Sequence, residues 1–225
     1  MTRMLDNIFW HALSGEQSLC AVGTAEARRF APGFSPIIAF ADHAHPRFDQ
    51  LAPYCSSGEH LYCDGWSGPA PDGWHIEAET TMVKMVWTGV VPQTDDAPDA
   101  RALGPEHLDR VLALTDLTRP GPFGPRTIGL GEYFGLFEGD RLVAMAGERA
   151  HAGALREVSG VCTHPEFQGR GLARRLMLKL IRRQLKRGET PCLHVMSDNA
   201  GARAMYRRMG FNEYRTSVVR VICRR

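Results

Sequence analysis

The sequence predicts a mixed α/β (α+β) fold, with a mostly antiparallel sheet, helices on both faces and a smaller N-terminal α/β domain. Three observations lead to this prediction. Residues 97–225 alternate between strand-like and helix-like patterns. Three of their strands follow one another without a helix between them, which favours antiparallel pairing. Residues 90–101 are polar and contain two prolines, so we place a boundary between an N-terminal domain of residues 1–95 and a C-terminal domain of residues 96–225.

The composition is typical of a soluble globular protein. The chain has 225 residues, 44% of them hydrophobic and 23% charged, with a formal net charge of +2. This charge is too small to indicate a nucleic-acid-binding protein, and no apolar run reaches the roughly 18 residues of a membrane span. The start MTRMLDNIFWHAL lacks the pattern of a signal peptide. Several of the six cysteines lie in apolar runs, so we expect a cytoplasmic protein with free thiols and no membrane partner.

The N-terminal domain has weak patterns of secondary structure. Residues 35–42 (SPIIAFAD) and 60–65 (HLYCDG) predict short strands, and residues 45–55 (HPRFDQLAPYC) predict a short helix that enters a loop. Residues 75–90 (HIEAETTMVKMVWTGV) predict a long strand that leads to the boundary.

The first part of the C-terminal domain has clearer patterns. Residues 101–118 begin as a short strand and turn through Gly104-Pro105 into a helix. Residues 119–131 are rich in proline and glycine, which predicts a loop or a broken helix. Residues 133–151 predict a hairpin around Glu138-Gly139-Asp140, and residues 154–163 (ALREVSGVCT) predict the next strand.

The rest of the chain alternates between helix and strand. Residues 167–188 predict the strongest helix. Their apolar residues form two adjacent rows along a helix, with the members of each row four residues apart, and Gly188 ends this pattern. Residues 191–196 (PCLHVM) predict a buried strand. Residues 197–210 predict a helix that ends at Gly210, and residues 216–223 predict the final strand.

The stretch THPEFQGRGLARRLM, residues 163–177, has the properties of an anion-binding loop. Gly169 and Gly171 remove side-chain bulk just before a helix, whose N-terminus offers free N–H groups and a partial positive charge. Arg170, Arg174 and Arg175 add charge nearby. The P-loop pattern is absent, and the dinucleotide pattern GxGxxG fails because its third glycine is replaced by Arg174.

Two motifs resemble the GNAT superfamily of acetyl-CoA-dependent N-acetyltransferases over about residues 97–225. Gln168-x-x-Gly171-x-Ala173 is similar to the coenzyme A loop of that family. The stretch DNAGARAMYRRMGF, Asp198 to Phe211, is similar to its N-x-x-A-x-x-x-Y-x-x-x-G-F segment. The resemblance implies a GNAT-type sheet, acetyl-CoA as co-substrate and acyl transfer to an amine, either a small molecule or a peptide N-terminus.

The resemblance also implies roles for individual residues. The strand that ends at Thr163 would separate from the next one, so that pantetheine enters the gap and a backbone N–H polarises the thioester carbonyl. Tyr206 corresponds to the tyrosine that protonates the leaving thiolate, and Asn199 would contact pantetheine or cap its helix. The residues implied in cofactor binding are Val161, Cys162, Thr163, Gln168, Gly169, Arg170, Gly171, Leu172, Ala173, Arg174 and Asn199.

The acceptor amine must lose a proton before it attacks, and Glu157 is our first candidate for the base. It shares side-chain parity with Ser159, Val161 and Thr163 if no bulge intervenes. Glu148 on the preceding strand is the second candidate. Either carboxylate is equally consistent with a solvent-facing position on a strand, and a chain of waters is a further alternative.

We expect direct attack of the amine on the thioester. An acyl-cysteine on Cys162 is the alternative route, but no histidine is paired with it within the motif. Two other functions stay open: a non-catalytic acyl-CoA sensor and a nucleic-acid-binding module that uses the arginine-rich helix. Against the second, no aromatic residues interleave the charges, and residues 179–187 are typical of a solvated face.

A zinc site in the N-terminal domain is the less favoured reading of five residues: His43, His45, Cys55, His60 and Cys63. Their spacing has neither a CxxC nor an HxxxH pair, so we expect no metal. The N-terminal domain has no second coenzyme A loop. We expect it to pack against the transferase domain and shape the acceptor pocket. The sequence leaves the identity of the acceptor and a homodimer open.

Overall fold

The N-terminal half of the chain folds into short elements that lead to one long strand. The computed structural model describes residues 2–225. The first two helices and the first two strands were not predicted from the sequence, whereas the strands at residues 37–40, 60–64 and 74–87 were. The helices of this half are α1 (Thr2–Asp6), α2 (Ile8–Ser14) and α3 (Phe48–Leu51); the strands are β1 (Ala21–Gly23), β2 (Ala27–Phe30), β3 (Ile37–Phe40), β4 (His60–Asp64) and β5 (Trp74–Trp87).

The C-terminal half follows the predicted order of elements. A short strand and a helix come first, then three consecutive strands, then two helices that alternate with two strands. The elements are β6 (Arg101–Ala102), α4 (Leu108–Thr118), β7 (Tyr133–Glu138), β8 (Arg141–Ala152), β9 (Leu155–Thr163), α5 (Leu172–Lys186), β10 (Thr190–Met196), α6 (Ala200–Met209) and β11 (Phe211–Arg224).

Strands from both halves form a single sheet. Within the described residues it has eleven strands in the order β1-β2-β3-β4-β11-β5-β10-β9-β8-β7-β6. Most neighbours are antiparallel, and β10 pairs in parallel with β9 after the crossover through α5. Strand β11 pairs with both β4 and β5, so the sheet crosses the predicted boundary near residue 95. That boundary stays a prediction about which segments fold independently.

Helices cover both faces of the sheet. On one face, Leu176 and Met177 of α5 pack against Val158 and Val161 of β9. On the other face, Leu114 of α4 packs with Cys162, and α2 lies over β8. The mixed α+β architecture predicted from the sequence is therefore confirmed, as burial of one apolar stripe per helix requires.

The segment predicted as a linker is a loop that is fastened to α5. Ala97 is fully buried against the core, and Lys179 donates to Asp95 at 2.5 Å and to the Ala97 carbonyl at 3.1 Å. Arg175 pairs with Asp99. Residues 179–187 were expected to form a solvated face, and Arg183, Lys186 and Arg187 are exposed. Lys179, Arg183 and Arg187 also form ion pairs.

Strands β9 and β10 separate after a short parallel ladder. Their paired residues run from Leu155 with Thr190 to Glu157 with Cys192. Beyond this point β9 continues to Thr163 along β8, while β10 continues to Met196 along β5. The separation opens a gap in the middle of the sheet, at the strand that the family resemblance implies is splayed.

Candidate active site

A cavity of about 540 Å³ occupies the gap between β9 and β10. From the C-terminal half, its lining includes residues 158–163 and 193–196, together with Asn199 and Tyr206. Gln168, the first residue of the segment 168–173 that we call the glycine loop, also lines the cavity. The gap, the loop and α6 thus meet at one site, as the two sequence motifs imply.

The glycine loop has the geometry of an anion cradle. Gly169 and Gly171 have φ angles of 76° and 73°, in the left-handed region that favours glycine. A Cβ added at either position would meet nothing within 4 Å, so open space lies above both residues. The first helical backbone hydrogen bond joins the Arg175 N–H to the Gly171 carbonyl. The N–H groups of Leu172 and Ala173, which precede it, have no helical acceptor and can face a diphosphate.

The three arginines in and after the loop differ in their exposure and in their contacts with acidic and carbonyl groups. Arg170 is exposed and its guanidinium lies 4.7 Å from the centre of the Phe167 ring. Arg174 is 57% exposed, with Asp96 at 3.8 Å. Arg175 instead donates to the Asp96 carbonyl and pairs with Asp99. Arg170 and Arg174 are therefore the cations that an incoming phosphate can engage most readily.

Tyr206 lies in the wall of the cavity and its ring packs edge-on against Phe211, with 6.1 Å between the ring centres. Burial raises the pKa of its phenol to about 12. The hydroxyl therefore keeps its proton at physiological pH, which suits a group that must donate it.

Asn199 and Cys162 also line the cavity. The Asn199 side chain accepts a hydrogen bond of 3.0 Å from the Ala202 N–H, so it caps α6 while it borders the gap. Burial raises the pKa of the Cys162 thiol to about 11. The thiol is then protonated near neutral pH, which makes it a poor nucleophile.

A β-bulge in β9 breaks the parity on which the choice of Glu157 depended. Cys162 pairs with Met145 and Ser159 with Gly147, so β9 carries an extra residue between them. Gly160 has a φ of 61°, and a Cβ there would lie 3.1 Å from the Tyr133 ring. Val158 and Val161 consequently both face α5, and Glu157 does not share a face with Val161.

Both carboxylates considered as bases are enclosed and fully engaged. Glu157 accepts from Arg149 at 2.6 and 3.0 Å, from the Ala150 N–H at 3.2 Å and from His194 at 2.7 Å. Burial alone would raise the pKa of the Glu157 carboxyl, but the Arg149 charge and these hydrogen bonds hold it well below its usual range. Glu148 is equally buried and is held by Gln184 and Arg187. Neither carboxylate borders the cavity, so neither lies where we expected the base for the acceptor amine.

The histidine that does border the cavity was missed. The His194 side chain is 5% exposed, and Nε2 is buried without a hydrogen-bond partner among the residues described. Its sequence signal was a titratable residue inside the apolar strand PCLHVM. The pattern of that strand predicts only that it is buried. The pairing of His194 with Glu157 depends on β9 and β10 being neighbours in the sheet, which the local pattern does not reveal.

The opposite wall of the cavity comes from the N-terminal half. Phe9 of α2, Tyr62 and Asp64 of β4 and Met82 of β5 all border it. Asp64 pairs with Lys84 at 2.6 Å, and both side chains are almost fully buried. The N-terminal half thus packs on the C-terminal half and closes one side of the gap.

The residues weighed as zinc ligands are dispersed. His45 pairs with Asp42, His60 with Glu77, and burial raises the pKa of the Cys63 thiol well above its usual value. Within the part of the chain that the structure describes, one other group of potential ligands, His75, Glu77 and Cys223, has its ligand atoms within 4.8 Å of one another. Separately, a helix both long and apolar enough to cross a membrane is absent from residues 2–225.

Comparisons with known proteins point to one family. The model of the family described as FR47-like protein matches residues 133–221, and no curated protein sequence matches the chain. A GNAT-family protein from Novosphingobium aromaticivorans, known from a crystal structure, is 34% identical to this chain over 98% of both chains, with a TM-score of 0.91. A GCN5-related N-acetyltransferase-like protein from Streptococcus suis is 16% identical over 97% of this chain and 92% of that chain, with a TM-score of 0.63, and shares the fold.

Proposed function

Because the chain belongs to the GNAT family of acetyltransferases, we propose that it moves an acetyl group from acetyl-CoA to an amine. The observation that carries this proposal is the continuity between the glycine loop and the gap of β9 and β10. The loop offers free N–H groups for a diphosphate, and the gap leads from there into the cavity that Tyr206 borders.

In the proposed complex, Gln168 to Ala173 bind the diphosphate and Arg170 and Arg174 supply charge beside it. The β9 segment from Val161 to Thr163 is left without a β10 partner by the separation of the strands. Its backbone groups can therefore hydrogen-bond the pantetheine chain, as an added strand would. A backbone N–H near Val161 or Cys162 would stabilise the oxyanion of the tetrahedral intermediate.

The amine nitrogen attacks the thioester carbonyl directly in this scheme. The C–N bond forms, the C–S bond breaks, and Tyr206 gives its proton to the departing thiolate. The raised pKa of Tyr206 keeps that proton in place until the thiolate develops. The raised pKa of the Cys162 thiol disfavours an acyl-cysteine intermediate.

The test measures thiol release from acetyl-CoA with a panel of small primary amines and short peptides, together with calorimetric binding of coenzyme A. We expect binding and turnover with at least one acceptor. Binding without turnover across the panel would favour the acyl-CoA sensor. Absence of binding would overturn the proposal. A nucleic-acid-binding module is less well supported, because Lys179, Arg183 and Arg187 are engaged in ion pairs. The cytoplasmic location and a homodimer stay predictions.

A further inference from the structure

We propose that the imidazole of His194 removes the proton from the acceptor amine, and that Glu157 is the positioning residue that holds it for this task. The inference rests on the proposed acetyl transfer and adds the group that makes the amine nucleophilic. An alkyl amine is mostly a cation near neutral pH, so one group in the cavity must accept its proton before the nitrogen attacks.

The position of His194 follows from the point where the strands separate. Glu157 and Cys192 form the last pair of the parallel ladder between β9 and β10. His194 is two residues further along β10, so its side chain points to the same face as Cys192 and Glu157. The imidazole is therefore the first titratable side chain beyond the point where β9 and β10 separate, which we call the fork, and it borders the cavity.

The hydrogen bonds assign the free lone pair to Nε2. Glu157 is an ionised carboxylate, which can only accept, and its Oε1 lies 2.7 Å from Nδ1 of His194. Nδ1 must therefore carry the proton, which leaves Nε2 of the neutral ring with its lone pair. Nε2 is buried and has no hydrogen-bond partner in the described part of the chain. A buried acceptor without a partner is costly in a folded protein, and an incoming amine would satisfy it.

The ring is also fixed in orientation. Phe9 stacks on the imidazole at 5.2 Å between ring centres with an angle of 24° between the planes. The same Phe9 ring lies 5.3 Å from the guanidinium of Arg149, which holds the other side of Glu157. A rigid base needs this support, because misplacement by about 1 Å is enough to slow proton transfer substantially.

The charges around His194 are balanced before the proton arrives. Glu157 on β9 is paired with Arg149 on β8. Lys84 on β5 lies directly opposite His194 in the ladder and is paired with Asp64 on β4. A proton taken up by His194 is thus the single surplus charge in this cluster, and Glu157 is in contact to stabilise it.

The protons balance over the whole reaction. The ammonium form of the acceptor gives one proton to Nε2, and the resulting imidazolium later releases it to solvent. The nitrogen lone pair forms the C–N bond, and the C–S bond breaks as Tyr206 protonates the thiolate. The second proton that the nitrogen sheds restores the Tyr206 phenol.

The first arm of the test uses His194→Asn, which keeps a donor for Glu157 at the position of Nδ1 and removes Nε2. With the best amine of the panel, we expect kcat/KM at pH 7 to fall about 100-fold or more, with unchanged binding of coenzyme A. The deficit should shrink as pH rises, because solution then supplies neutral amine. His45→Asn is the matched control, since His45 is another histidine bonded to a carboxylate, Asp42, but 84% exposed.

A second arm tests Glu157 as a positioning residue. In Glu157→Gln the imidazolium loses its neighbouring charge, so the acidic limb of the kcat/KM profile should move to lower pH. A merely structural role would lower the amount of folded enzyme and leave the limb in place. Coenzyme A binding by the variant confirms that it is folded.

A third arm needs no turnover. Nitrogen NMR of histidine-labelled protein with coenzyme A should show His194, assigned by its loss in His194→Asn, with the proton on Nδ1 and a free Nε2. A proton on Nε2 would overturn the proposal, as would His194→Asn with kcat/KM within twofold of wild type while acetyl transfer itself persists. Absence of both coenzyme A binding and turnover in the wild type would instead overturn the proposed function together with the inference.

Discussion

The two walls of the cavity are built differently. The cofactor wall, which we define as the glycine loop with β9 beyond the fork and α6, presents backbone groups and open space above Gly169 and Gly171. The acceptor wall, which we define as the side formed by Phe9, β4, β5 and His194, is supported by buried ion pairs. The cofactor wall is set by residues close together in sequence, whereas Lys84 and Asp64 or Arg149 and Glu157 meet only through strand pairing. Under the proposed function, the difference means that cofactor binding depends on local sequence, whereas acceptor chemistry depends on the pairing of strands across the whole sheet.

The largest effect should come from Tyr206→Phe on the cofactor wall. Without the phenol the thiolate departs unprotonated, so kcat should fall about 100- to 10,000-fold. Because burial raises the pKa of Tyr206 to about 12, the wild-type kcat should show no loss on the alkaline side from this group until pH approaches that value. Thiol release at saturating acetyl-CoA measures both.

Binding of coenzyme A should survive in Tyr206→Phe, because the loop is untouched. Tyr54→Phe serves as the control, since Tyr54 is 40% exposed and outside the cavity. A kcat for Tyr206→Phe within a few-fold of the wild type would remove Tyr206 from the mechanism.

On the acceptor wall, Asp64→Asn should reduce the free energy of unfolding by about 3–5 kcal/mol, because it leaves the Lys84 ammonium buried without its counter-charge. The double variant Asp64→Asn with Lys84→Met should recover much of that loss. Urea unfolding of the wild type, Asp64→Asn, Lys84→Met and the double variant measures the coupling. Additive losses in the double variant would show that the pair does not act as a unit.

Much of the cofactor wall could be predicted from the sequence because its signals are local. Gln168 to Ala173 sit between a strand and an amphipathic helix, and Tyr206 follows Asn199 in one helical segment. The acceptor wall could not be predicted in this way. Local patterns do not reveal that β5 lies between β10 and β11, and this placement sets Lys84 opposite His194.

The side-chain parity expected for Glu157 differs from the observed one for a specific physical reason. The alternation of side chains along β9 held only up to Gly160, where an extra residue reverses it. A glycine inside a strand pattern is a recognised sign of a bulge, so the signal was present but did not fix which residue was extra. Glu157 was correctly singled out as a notable carboxylate, but its partners come from two other strands.

A smaller effect is expected for Gly171→Ala on the cofactor wall. The new Cβ enters the open cradle and the left-handed φ of 73° becomes strained. We expect the Kd for coenzyme A to rise about 10-fold or more, equivalent to about 1.4 kcal/mol, and stability to fall by about 1–2 kcal/mol. Calorimetric titration and thermal melting measure the two quantities.

Gly188→Ala is a closely matched control for that variant. Gly188 has a φ of 75° and equally open surroundings, but it lies at the other end of α5. It should lose similar stability without any loss of coenzyme A affinity. Equal losses of affinity in both variants would mean that the loop acts only through the stability of the helix.

The smallest effect should come from Arg174→Ala. Its guanidinium is 57% exposed, so its attraction for a phosphate is screened by water and salt. We expect a rise of a few-fold in the Kd for coenzyme A that diminishes at high salt. Arg208→Ala, at an exposed position on α6, should leave the Kd unchanged. An effect independent of salt would assign Arg174 a packing role instead.

A crystal structure of the protein with acetyl-CoA tests the central claim most directly, namely that one cavity joins a cofactor wall to an acceptor wall. The account predicts the diphosphate at the N–H groups of residues 169–173, pantetheine between β9 and β10, and the acetyl group between Tyr206 and Nε2 of His194. A cofactor bound outside the gap, or an acetyl group directed away from His194, would contradict it.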